Sequence, residues 1–90
     1  MTLTLEPVRL GTGDGDEEGR LVLADGRLVA VLVHLSDQYD DLAGRWFLEV
    51  GLGPLDGPEH PTFTDLDAAQ DWIRLRLTHR AQARPSPYRH

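Results

Sequence analysis

The sequence predicts an α+β fold, an antiparallel sheet of about four strands in the order β-β-β-β-α with one C-terminal helix packed on one face. Three features carry that expectation. Asp25-Gly26 separates two apolar runs, RWFLEV at residues 45–50 alternates with the period of a strand, and the segment from Thr64 onward spaces its apolar residues at helical intervals.

Taken in order, Thr2 to Leu10 alternates polar and apolar residues and reads as the first strand. Pro7 interrupts it. Proline cannot donate to a ladder, and the apolar phase shifts from Leu3/Leu5 to Val8/Leu10 across it, so an edge strand with a bulge is expected. Gly11 to Gly19 is a glycine and acid loop. Arg20 to Ala24 and Arg27 to Ser36 then form a hairpin about Asp25-Gly26, a pair that tolerates the positive φ angles of a type I′ turn. A two-residue turn sets Ala24 against Arg27, Leu23 against Leu28, Val22 against Val29 and Leu21 against Ala30.

On that register one face of the long strand carries Val29, Val31, Val33 and Leu35, and the other carries Leu28, Ala30, Leu32 and His34. Both are apolar, and one helix covers only one of them. A second cover is needed, supplied by a homodimer partner, by the N-terminal segment or by the long loops.

Ser36 to Gly44 is a polar loop, and Arg45 to Leu52 returns as a strand with Trp46, Leu48, Val50 and Leu52 on one face and Phe47, Glu49 and Gly51 on the other. GPLDGPEHP, residues 53–61, is a connecting loop. Thr64 is the expected helix N-cap, with Asp65 and Asp67 in the first turn and Phe63 as a hydrophobic staple. The helix is expected to reach about Thr78 or a few residues beyond, with Leu66, Ala69, Ile73 and Leu77 on its buried stripe. Residues 1–80 are thus one domain, and 81–90 a mobile basic tail.

Composition bounds the function. Ninety residues can bury a single core, and with no cysteine the chain has no disulfide, no thiol chemistry and no cysteine-ligated metal. All nine basic residues are arginine, read as a G+C-rich coding bias and a bacterial source. No apolar run approaches the roughly 20 residues of a membrane span, and the first residues lack a secretory pattern, so a cytoplasmic location without membrane contact is expected. The net charge of −6 hides a dipole: residues 1–71 hold all fifteen acids and four arginines, net −11, whereas 72–90 hold five arginines and no acid, net +5. Arg76, Arg80, Arg84 and Arg89 in that last segment are the candidate contacts for an acidic protein or a nucleic acid.

Asp14, Asp16, Glu18, Gly19 and Asp25 match positions 1, 3, 5, 6 and 12 of a calcium-loop pattern, although the flanking segments read as strands rather than helices. A solvated loop is the simpler reading, and no cofactor is expected. His34 is a candidate base if Glu49 reaches it from the neighbouring strand. His60 is a loop residue without an obvious partner, and His79 and His90 belong to the C-terminal segment. The chain carries no nucleophile elbow, P-loop or dinucleotide fingerprint, and the acids in GTGDGDEEG repel phosphate. A non-catalytic protein is expected.

From Arg27 to Leu77, the strand order, RWFLEV and the helix start with Phe63, Ala69 and Trp72 resemble the arm-type DNA-binding domains of tyrosine recombinases. That resemblance implies a helix packed across three strands, with the open sheet face reading DNA. Here Asp37, Asp40, Asp41 and Glu49 flank the sheet instead of basic residues. The favoured expectation is therefore a protein-interaction module that self-associates through an uncovered sheet face or edge, with Leu28, Leu32, His34, Phe47 and Leu75 as contacts. The alternative is a nucleic-acid-associated module using the basic C-terminal segment.

Overall fold

The computed structural model describes residues 1–11, 16–36 and 41–83. Among the described residues five strands, β1 (Leu3–Gly11), β2 (Asp16–Ala24), β3 (Arg27–His34), β4 (Trp46–Gly51) and β5 (Thr62–Phe63), with a short 3-10 turn at Gly53–Leu55 before β5, precede the α-helix α1 (Leu66–Ala83). Each strand pairs antiparallel with the next, giving the sheet order β1-β2-β3-β4-β5. This is the expected α+β architecture, with a two-residue fifth strand between the expected loop and the helix.

Asp25 at φ 52° and Gly26 at φ 84° make the tight β2–β3 turn, as the sequence predicts. Asp25 also fastens β1: its N–H donates to the Thr2 carbonyl, and its Oδ1 accepts from the Thr2 N–H, both at 2.9 Å. In an antiparallel strand backbone groups alternate sides, so Thr4, Glu6, Val8 and Leu10 bond toward β2 while Leu3, Leu5, Pro7, Arg9 and Gly11 point outward. Pro7 therefore removes no ladder bond, and the register runs unbroken through Pro7 and Arg20. The expected bulge at Pro7 is absent. The apolar phase shift instead places Leu3 and Leu5 on one side of the sheet and Val8 and Leu10 on the other.

Bulges occur elsewhere. Leu23 faces Leu28 as expected, but Val22 then faces Ala30 and Leu21 faces Val31, leaving Val29 as the extra residue. A second shift between β3 and β4 sets Val31 against Val50 and Leu32 against Leu48, leaving Glu49 extra. Because side chains alternate, each extra residue moves its successors on the strand to the opposite face.

The core joins Val22, Ala30, Leu32, Trp46, Leu48, Leu55 and Phe63 to Ala69 and Ile73 of α1, so the helix covers this face of the sheet. Leu66, Trp72 and Leu77 pack at its margin, in keeping with the predicted stripe. The N-cap is Asp65, not Thr64: its Oδ1 accepts the Ala68 N–H at 2.8 Å. Thr64 instead comes directly after β5, in which Phe63 faces Trp46 and enters the core as a strand residue. The acids Glu17 and Glu18, expected in a loop, lie in β2, where pairing with Leu10 and Arg9 holds them extended. The helix extends to Ala83, into the segment read as a tail.

Candidate functional site

Cross-strand partners share a face, which defines the side of the sheet opposite α1 row by row. One row is Val8, Gly19, Val33 and Phe47; the next is Glu6, Leu21, Val31 and Val50; the third is Thr4, Leu23 and Leu28. Between β2 and β4 these rows are apolar except for Gly19. Val33 is buried, Leu21, Leu23, Val31 and Phe47 are half-buried, and Leu28 and Val50 stand 40% and 39% exposed. Leu21, Leu23, Leu28, Val31 and Val50, bordered by Phe47, form an apolar surface on the open side, and Val33 lies buried at its edge.

The expected contact residues divide between this surface and other places. Leu28 and Phe47 lie on it. Leu32 is fully buried on the helix side, because the Val29 bulge separates it from Leu28, and a partner cannot reach it. Leu75 is 68% exposed on the outer face of α1, so the sheet lies between it and Phe47 and the two form no common patch. Phe47 instead stacks with His60 at 6.0 Å between ring centroids, and His60 Nδ1 lies 2.9 Å from the Leu48 carbonyl oxygen. No sequence signal announced that partner: it arises because residues 60–63 run back along β4.

His34 lies on the helix side, beyond the end that α1 covers. It faces Trp46 across the ladder, their ring centroids 4.7 Å apart. Glu49 sits three residues further along β4, on the bulge, roughly 10 Å away at strand rise, so the expected His34–Glu49 pair is not formed. The carboxylate beside His34 is Glu18, 3.9 Å from Nδ1. Glu18 is committed to Arg20 at 2.9 Å, while the Arg20 guanidinium lies 5.1 Å from the Trp46 ring centroid and donates to the Gly19 carbonyl. Pro7, Val8, Arg9, Glu18 and Arg20 line a shallow groove of ≈ 520 Å³ here. Its residues supply two cations, Arg9 and Arg20, and one carboxylate, Glu18. Glu18 neutralises Arg20, and Arg20 and His34 shield the exposed end of the core at Trp46.

The calcium-loop reading fails on strand geometry. Asp16 and Asp25 flank opposite ends of β2, about 30 Å apart at strand rise, and Asp25 is bonded to Thr2. Asp14 lies outside the described residues. Among the described residues no three acids or histidines gather closely enough to hold a metal ion.

At the helix end, Arg76 bonds the Glu59 carboxylate and lies 4.5 Å from the Trp72 ring centroid, which itself packs 5.6 Å from that of Phe63. Arg76 thus ties the β4–β5 connection to α1 rather than standing ready for an anion. Arg80 is on the last turns of the helix, and Arg84 and Arg89 lie outside the described residues. No helix is long and apolar enough to cross a membrane among the described residues. Comparison with protein-family models, with characterised proteins and with solved structures returns no match for this chain.

Proposed function

We propose that this protein is a small non-catalytic interaction module that pairs with a second copy of itself through the open side of its sheet. One observation carries the reading: the apolar rows Leu23–Leu28 and Leu21–Val31–Val50, bordered by Phe47, continue across β2, β3 and β4 on the side that α1 leaves bare. Aliphatic side chains in regular rows are self-complementary, since two such faces interdigitate about 10 Å apart as in a β-sandwich.

Size sets the expected strength. Three strands and two accessible rows span roughly 14 by 13 Å, about 200 Å² of flat surface per copy. That is well below the roughly 800 Å² per partner of a standard interface and fits only a weak, concentration-dependent dimer. A cysteine-free chain gains nothing from an oxidising compartment, and the same proposal places the protein in the cytoplasm.

Sedimentation equilibrium from about 10 μM to 1 mM tests it, a range that brackets weak association. The wild-type mass should rise toward that of a dimer, whereas Val50→Asp and Leu28→Asp should remain monomeric with little loss of folding stability. A monomer mass throughout contradicts the proposal, as does a dimer that neither substitution weakens.

A further inference from the structure

We infer that Pro7 keeps the free edge of β1 from serving as a docking strand for β1 of a second copy, so that this sheet cannot grow edge to edge. The sheet has two edges. At one, β5 is only two residues long and offers almost no template. At the other, β1 runs for nine residues and, among the described strands, pairs with β2 alone. Its alternating Leu3, Leu5, Val8 and Leu10 make it the kind of extended apolar edge that recruits another chain.

The Thr2–Asp25 bond fixes which backbone groups face that edge. Leu3, Leu5, Arg9 and Gly11 present N–H and C=O outward, and Pro7, at the centre of the series, presents a carbonyl with no N–H. Two β1 strands docked antiparallel about their centres would set Pro7 against Pro7. Both donors would be missing there, both facing carbonyls would go unanswered, and the rings would fill the space the bonds require. Had proline stood one residue earlier or later, it would have broken the β1–β2 ladder and left the edge open. Its position at an outward-facing site protects the edge without weakening the sheet.

Ladder geometry alone gives Pro7 this role, whether the open face binds a second copy or not. Pro7→Thr restores the missing donor with a good strand former. Sedimentation velocity should show Pro7→Thr in species larger than any the wild type forms, with amide exchange slowed at Leu5 and Arg9. Transferring the proline to the next outward site, in the double variant Pro7→Thr/Arg9→Pro, should return the wild-type distribution. A folded Pro7→Thr with wild-type size and exchange overturns the inference, and so does a double variant that assembles as far as the single one. If Pro7→Thr does not fold, wild-type exchange decides the matter: Thr4, Glu6 and Val8 amides should be protected and Leu5 and Arg9 should not, and the opposite parity overturns it.

Discussion

Leu28 and Leu32 stand four residues apart on β3 yet occupy opposite faces of the sheet, Leu28 on the open side and Leu32 beneath α1. Strict alternation would put them together. The extra residue at Val29 separates them, setting Leu28 on the face of Val31 and Val33 and leaving Leu32 with Ala30 in the core. Replacement of each by alanine should therefore have different effects. Leu32→Ala should lower unfolding stability by about 3 kcal/mol, and Leu28→Ala by no more than about 1 kcal/mol while weakening self-association. Urea unfolding of the two variants checks this, and equal losses would contradict the face assignment.

Gly51 is constrained by its surroundings rather than by its dihedral angles. A Cβ there would come within 2.2 Å of the Leu55 carbonyl oxygen, which is backbone and cannot rotate away. Gly51→Ala should lose roughly 3 kcal/mol, whereas Gly57→Ala, where a Cβ meets nothing within 4 Å, should change stability little. Thermal unfolding followed by circular dichroism separates the two.

The helix cap gives a third test. Asp65→Ala should lose about 1 kcal/mol because the Ala68 N–H loses its acceptor, and Thr64→Ala should be close to neutral. The reverse order of effects would move the cap back to Thr64.

Salt distinguishes the two association modes open to this chain. Copies carrying −6 each repel, so raising salt from about 20 to 500 mM should tighten face-to-face pairing through screening. Nucleic-acid binding by Arg80, Arg84 and Arg89 would respond in the opposite direction, weakening as counterions accumulate. A dimerisation constant and an oligonucleotide-binding constant, each measured across that range, read the two signs.

Much of this fold is written in local chemistry that a sequence displays. Asp25-Gly26 defines its turn, RWFLEV its strand, and Ala69 and Ile73 the buried stripe of the helix. What local chemistry does not display is register. Val29 and Glu49 become extra residues only through their partner strands, and each reassigns the face of its neighbours, which is why Leu32 reads as a contact residue and is instead core. Pairing likewise overrides composition in Glu17 and Glu18, drawn into β2 by Leu10 and Arg9. His34 is identifiable as a residue of chemical interest, but its carboxylate neighbour, Glu18, comes from the strand on its other side, and only the sheet order reveals that choice. The open apolar side was anticipated from the doubly apolar strand, with its membership corrected by the two bulges.

The proposal that the open side of the sheet binds a second copy is tested most directly by amide chemical shifts recorded on dilution from about 1 mM to 20 μM, the range of a weak dimer. Shifts at Leu21, Leu23, Leu28, Val31 and Val50 should move together along one binding curve, with Asp71, Arg74, Leu75 and Thr78 on the outer face of α1 unmoved. Shifts independent of concentration, or a response centred on the helix, would contradict the account.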